Sequence, residues 1–293
     1  MDVLLQGNVL LALCSALLWG GGDFSGGMGV KAAGGSTGGA LRIVILSHLT
    51  SLTALSIFLL LRGTPLPHGT PLAWALAAGA MAGVSLAAFY IALARGAMGI
   101  SAAISGLLAA AIPAAVSAFT EGSPGLLRIA GFVVAGVAIW MIAAGPEPAG
   151  GSSKNGTMLL AVLAGAGFGV YFVALKMAGS LGPPLTMATA RVGSIVTCTT
   201  LLLALSLKGN LDKGKITAAA IRWVLLTALM DTGGNMLFVA ATQAGRLDVA
   251  SVLASLYPAS TILLAAWMLK ERPTRMQGIG MLVAAAAVVM ITL

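Results

Sequence analysis

Four polar residues stand where the surrounding sequence is almost wholly apolar: Asp23, His48, Asp231 and Asn235. Asp231 and Asn235 are four residues apart, which sets both on one face of a helix. Such a pair can orient an ammonium or an amide, and it can equally join two helices through hydrogen bonds. Histidine is the side chain most readily made to titrate near neutral pH, so His48 offers a protonation site as well as a polar contact. A charged side chain at the centre of a membrane helix costs roughly 3 kcal/mol on insertion scales and usually faces a cavity. For each residue the plainer alternative is a hydrogen-bonded contact between helices.

Two enzyme chemistries are spelled by the same residues. Gly20-Gly21-Gly22-Asp23 fits the GxGD string of intramembrane aspartyl proteases, with Asp231 as a second carboxylate sharing a proton. Met230 precedes Asp231 where that class has Tyr, and no Pro-Ala-Leu string occurs. In a run of glycines a GxGD match is cheap, so protease chemistry is the remote alternative. Zinc chemistry is weaker: His48 and His68 are the only histidines, and neither HExxH nor CxxC is present. No catalytic residue, metal ligand or cofactor is expected, and the chain is not expected to be an enzyme.

Aromatic residues are few, at 5% of the chain, so their placement is informative. Trp19, Tyr90, Tyr171 and Tyr257 fall within apolar runs, where an aromatic ring beside a polar group suits an amphipathic solute. The alternative for each is a ring in the belt at the membrane surface. Trp74 and Trp223, near the starts of two runs, fit that belt better.

The elements that would position these groups are transmembrane helices. Apolar residues make up 59% of the 293 and charged ones 8%, against about a quarter charged in a soluble domain. Apolar runs of the length a bilayer demands span 8–29, 40–61, 72–94, 100–119, 125–144, 157–179, 185–207, 222–243, 249–269 and 276–293. The runs are continuous rather than alternating, which excludes barrel strands. The longest breaks, 145–156 and 208–221, leave no room for a water-soluble domain. Residues 1–7 carry an Asp and no Lys or Arg, unlike a signal peptide, so 8–29 is expected to be a helix of the mature chain. Net charge is +8, but the basic residues stand singly near helix ends, where snorkelling explains them, and nucleic acid is discarded as a partner. Arg42, Lys176, Arg191 and Arg222 are read in this way. Cys14 and Cys198 fall inside runs and receive no role.

The chain repeats itself at an offset of 149 residues. Trp19-Gly20 meets Phe168-Gly169, Arg42 meets Arg191, Trp74 meets Trp223, and Phe89 meets Phe238. Rare residues carry this match, because Ala, Leu and Gly coincide by chance. Residues 1–148 and 149–293 then hold five helices each. Five is odd, so the second half enters the membrane from the opposite side, giving an inverted repeat. Transporters commonly use this symmetry, with a substrate site near the midplane. Pro113 and Pro258 are expected to lie inside helices four and nine and to kink them. Spacings such as Gly22/Gly26, Gly79/Gly83 and Gly165/Gly169 allow close helix approach.

Three strings carry a resemblance. They are Leu17-Leu18-Trp19-Gly20, Ser255-Leu256-Tyr257-Pro258 and Lys270-Glu271-Arg272-Pro273-Thr274, the last with a degraded counterpart at Thr120-Glu121-Gly122-Ser123-Pro124. Their order and spacing resemble the EamA-type members of the drug/metabolite transporter superfamily over the whole chain. Within that group the chain resembles bacterial amino-acid exporters of the YddG type. The resemblance implies a central cavity lined from helices one, three, six and nine, and cytoplasmic termini. With cytoplasmic termini, Arg62, Arg128, Lys176, Arg191 and Arg246 would lie inside and the other eleven of the sixteen basic residues outside, so the charge count favours the other orientation.

The expectation is an all-α integral membrane protein of ten transmembrane helices in two five-helix inverted repeats. It would be a secondary transporter in the bacterial inner membrane, exporting small metabolites, foremost amino acids, by alternating access, and working as a monomer among lipids. No GxxxxGK[ST] string is present, so transport runs downhill or couples to an ion gradient. Trp19, Tyr90, Tyr171 and Tyr257 would supply apolar and stacking surface. His48, Asp231 and Asn235 would supply polar selectivity, with Asp23 near the entrance. Exporters of drugs or other small metabolites are the alternative.

Overall fold

A computed structural model describes residues 2–94, 98–143, 154–209, 216–268, 270 and 272–293. Every regular element among them is helical. The helices are α1 (Asp2–Ala32), α2 (Thr37–Leu61), α3 (Gly69–Ala94), α4 (Met98–Thr120), α5 (Leu126–Ala143), α6 (Lys154–Ala178), α7 (Pro183–Leu207), α8 (Ala218–Ala244), α9 (Leu247–Ala254), α10 (Tyr257–Met268) and α11 (Arg275–Thr292). A single 3₁₀ turn, Gly179–Leu181, joins α6 to α7. Continuous backbone hydrogen bonding inside each helix is what a lipid solvent requires.

Among the described residues, eight helical spans are long and apolar enough to cross a membrane, and α9 with α10 makes up one of them. Two shorter apolar helical stretches, Ile104–Thr120 and Leu126–Ile142, stand beside them. The chain is an all-α membrane protein. The expected break at 145–156 falls mostly outside the described residues and that at 208–221 in part, although Lys154 already starts α6 and Ala218 already starts α8. Glu271 of the late motif also lies outside them.

Local sequence chemistry sets the helix ends. The Ser36 hydroxyl caps α2 by accepting from Gly39 N, and the Thr217 hydroxyl caps α8 through Ala220 N. Thr274 and Gln277 form a reciprocal capping box at the start of α11. The motif residue Thr274 is thus a helix start.

The expected ninth helix is corrected. Proline cannot donate the backbone bond that would reach Ala254, four residues before Pro258, and α9 ends at Ala254. Ser255 and Leu256 bridge the gap with Leu256 N bonded to Leu253 O and Ala259 N to Leu256 O, both three residues back. Pro258 therefore breaks the element rather than kinking it, and Tyr257 becomes the first residue of α10. Pro113 stays inside a continuous α4.

Helix pairs are α1 with α8, α3 with α6, α5 with α11, and α2 with α7. Small residues make these approaches close. A Cβ on Gly79 would strike the Ala190 carbonyl on α7, and one on Gly83 would stand 2.9 Å from Cys198 Sγ and Ser194 Oγ. A Cβ on Gly165 would stand 2.7 Å from Ser105 Cα, and one on Gly169 2.7 Å from Ile112 Cβ, both on α4. The α5–α11 pair is reciprocal: Gly131 faces Ile291, and Gly280 faces Met141 and Ile142. Glycine at these points lets α3, α6 and α7 close around one central space.

Candidate functional site

The central space, counted together with the solvent space it opens onto, has a volume of about 470 Å³. Trp19 and Asp23 reach it from α1, Ala82 and Leu86 from α3, and Ala109 from α4. Phe168, Tyr171 and Phe172 reach it from α6, Arg191 from α7, Asp231 and Asn235 from α8, and Tyr257 from the start of α10. Six of the eight expected site residues therefore line one cavity. His48 and Tyr90 do not line it; both are buried nearby.

Arg191 is the centre of the polar wall, and the snorkelling expectation for it is wrong. It is 1% exposed, eight residues into α7, and cannot reach a helix end. Its guanidinium donates to the Asp231 carboxylate, to Thr232 Oγ1 at 3.0 Å and to His48 Nε2 at 2.7 Å. Its Nε is buried without a partner among the described residues.

The His48 tautomer follows from these contacts. Arginine has no acceptor, so His48 Nε2 must accept. The Nδ1–H then donates to Ser194 Oγ at 2.7 Å, and the ring is neutral. His48 Nε2 also lies 3.7 Å from Asp231 Oδ2. We read His48 as a positioning group behind Arg191, held from α2 and fixed by Ser194 on α7.

The second oxygen of Asp231 is also committed. Asn235 Nδ2 donates to Oδ1 at 3.0 Å and to the Asp231 carbonyl at 2.7 Å. The Tyr171 hydroxyl donates to Asn235 Oδ1 at 2.7 Å. One chain of hydrogen bonds thus runs Ser194–His48–Arg191–Asp231–Asn235–Tyr171 through four helices. The expected Asp231/Asn235 face is present, but its first partner is this chain of protein groups.

Asp23 differs. It is half-buried in the cavity wall, and among the described residues it has no hydrogen-bond or ion-pair partner. A Cβ on the neighbouring Gly22 would stand 3.3 Å from Asp231 N, and one on Gly26 would strike the Tyr90 hydroxyl. The close approach of α1 to α8 and α3 fixes where Asp23 sits. Asp231 is bound by Arg191 and Asn235 rather than bonded to Asp23, so the two carboxylates do not share a proton in the manner of an aspartyl protease.

Aromatic rings make up much of the remaining lining. Trp19 stacks on Phe172 with ring centroids 5.0 Å apart and 4° between planes, and Phe238 backs both. Gly234 makes room, since a Cβ there would stand 2.7 Å from Trp19 Cδ1. Tyr257 reaches Ser105 Oγ at 3.5 Å. Phe168 and Phe172 escaped the sequence reading because phenylalanine in an apolar run carries no polar mark. Trp223, expected in the surface belt, packs edge-on against Phe24, while Trp74 is 40% exposed.

A second polar cluster lies where α4, α6 and α8 end and α9 begins. Lys176 Nζ is 3.5 Å from Glu121 Oε1 and donates to the Thr242 carbonyl at 2.6 Å. Lys176, in the last turn of α6, thus sits near a helix end as expected and is paired there. Glu121 Oε2 accepts from Ser117 at 3.0 Å and from Leu247 N at 3.2 Å. Arg246 pairs with the fully buried Asp248 and donates to the carbonyls of Glu121 and Gly122. The Asp248 hydrogen bonds push the Arg246 guanidinium above its ordinary pKa, so its charge is permanent.

Among the described residues no cluster of His, Cys, Asp and Glu could hold a metal ion. Residues 155–293 match the EamA-like transporter family. That EamA-like stretch contains Tyr171, Arg191, Asp231, Asn235 and Tyr257, so most of the polar wall belongs to it. No curated protein matches the chain. A solved structure, described only as the crystal structure of a protein, shares the fold with a TM-score of 0.75. The two align over 97% of this chain and 96% of that one at 15% identity, a likeness that speaks to fold alone.

Proposed function

We propose that the protein is a secondary transporter that exports small amphipathic metabolites, amino acids among them, by alternating access, in the manner of the YddG-type exporters it resembles. The observation that carries this reading is the cavity wall. Trp19 and Phe168, Asp23 and Phe172, Ala82 and Asp231, and Leu86 and Asn235 all line it, and each pair is 149 residues apart. A solute site at the junction of two inverted repeats requires such pairing. The helix pairs support it as well: the offset carries α1 and α8 onto α6 and α3, while α2 with α7 and α5 with α11 each map onto themselves. On this reading 1–148 and 149–293 are the two repeats of a ten-span protein in a bacterial inner membrane.

The cavity is amphipathic because the pairs differ chemically. Asp23, Asp231 and Asn235 bring polar groups to the lining, and their counterparts Phe172, Ala82 and Leu86 bring apolar ones. A solute with one polar end and one apolar body fits both. The test is counterflow in liposomes holding the purified protein, with a panel of labelled amino acids. Uptake driven by preloaded unlabelled substrate is expected. Absence of flux for every amino acid and small amphipath tried, with folded protein, overturns the proposal.

A further inference from the structure

We propose that one end of the bundle, where α1 and α7 finish and α8 and α11 start, is a docking face for the anionic headgroups of the cytoplasmic leaflet, so that the start of α1 and the end of α11 face away from the cytoplasm. Only the membrane fold is needed for this, whatever the cavity carries.

The fold sorts the charges by end. α1 and α8 run antiparallel: Asn8 donates to the Arg246 carbonyl at 3.3 Å, and the Thr217 hydroxyl to the Ala32 carbonyl at 3.4 Å. α5 and α11 do the same, with Gly131 against Ile291 and Gly280 against Met141. The start of α7 lies with the end of α8, since Gln243 donates to the Gly179 carbonyl, so α7 finishes beside the start of α8. Lys31, Lys208, Arg222, Lys270, Arg272 and Arg275 therefore share one end, and all are exposed. Among the described residues no Asp or Glu stands with them. By their place in the chain, Arg95, Lys154, Lys213 and Lys215 fall at this end as well, and Glu147, Asp212 and Glu271 leave it in basic excess.

The opposite end is nearly neutral. It holds Arg62, Arg128, Lys176 and Arg246, but Lys176 pairs with Glu121 and Arg246 with Asp248. Arg191, which a count by sequence assigns to this end, is buried on Asp231 and belongs to neither surface. Basic residues in short connections at helix ends are retained on the cytoplasmic side, where anionic headgroups attract them. Cytoplasmic termini, as the family resemblance implies, would set the basic end against the outer surface instead. On the orientation proposed, the Glu121–Lys176 cluster lies at the outer surface.

Thiol labelling of the full chain in spheroplasts of a bacterial host tests this. Ser123→Cys and Thr37→Cys are exposed at opposite ends, and the unaltered chain, with Cys14 and Cys198, gives the background. With a membrane-impermeant maleimide, Ser123→Cys is expected to label in intact spheroplasts and Thr37→Cys only after lysis. The reverse pattern, or labelling of both in intact spheroplasts, overturns the proposal. Should either cysteine stay unlabelled after lysis, Thr70→Cys and Ser206→Cys report on the same two ends. A second variant tests the cause: Lys208→Gln, Lys270→Gln and Arg272→Gln combined with Leu66→Lys and His68→Lys, which moves charge to the other end. Thr37→Cys in that background is expected to become labelled in intact spheroplasts, and an unchanged pattern overturns the role of the basic face. If that variant does not insert, the single cysteines decide alone. Counterflow in liposomes does not depend on which end is cytoplasmic, so the labelling and the transport reading fail separately.

Discussion

Arg191 on α7 and Asp231 on α8 face each other across the middle of the bundle, and the guanidinium binds the carboxylate directly. The pair closes a chain of hydrogen bonds that joins α2, α6, α7 and α8. Removing one member leaves the other in the bundle interior without its countercharge. That loss costs about 3–5 kcal/mol for a buried pair. Arg191→Met is therefore expected to lower the melting temperature sharply and to abolish counterflow. Replacing both partners, as Arg191→Met with Asp231→Leu, removes the orphaned charge and is expected to recover most of the stability but not the transport. Thermal melts of the three proteins check this. Full recovery of transport in the double variant would show that the pair acts only as a strut.

Tyr171 ends the same chain, donating to Asn235 at 2.7 Å. Tyr171→Phe keeps the ring and removes the donor, leaving Asn235 Oδ1 unsatisfied in the wall. A buried acceptor left without a partner costs about 1–3 kcal/mol. Asn235 can escape part of that cost by turning toward the cavity. Tyr171→Phe is thus expected to raise the apparent KM for counterflow while the maximal rate changes little. A lowered maximal rate with an unchanged KM would instead assign Tyr171 to the conformational step.

How far the site was legible depends on what each residue says about itself. Asp23, Asp231 and Asn235 are conspicuous because they interrupt long apolar runs, and all three line the cavity. Arg191 is not legible as a buried group, because an arginine some eight residues into a helix still looks able to reach its end. Its partners, His48 and Asp231, lie 143 and 40 residues away, so only the fold brings them together. Pro258 marks a disruption near Ser255, but sequence does not say whether a helix bends there or stops and resumes. Phe168 and Phe172 could be found only by applying the offset to Trp19 and Asp23.

Glu121 joins the ends of α4 and α6 to the start of α9 through Lys176 and Leu247 N. These groups are about a quarter exposed, so the ion pair itself contributes little, on the order of 1 kcal/mol or less. Its position matters more, since a cavity that opens at this end must part α4 from α6 and α9. Glu121→Ala is expected to shift the resting population toward that opening with only a small drop in melting temperature. The check is maleimide labelling of Thr242→Cys, a position 1% exposed beside Lys176. Faster labelling in the Glu121→Ala background is expected, and equal rates would make the cluster a static clasp.

Pro258 separates α9 from α10 and sets Tyr257 at the cavity. Pro258→Ala restores the backbone N–H that Ala254 O lacks. Removing proline from a helical run gains up to about 3 kcal/mol of local helix stability. The two short helices are then expected to fuse, which turns Tyr257 away from Ser105 and stiffens the segment facing α1. Melting temperature should hold or rise while counterflow slows, because Ser260, three residues beyond Tyr257, anchors the segment to the Ala16 carbonyl at 2.9 Å and cannot follow the straightened axis. Wild-type flux in a more stable Pro258→Ala protein would show that the break is fixed shape, with no part in the transport cycle.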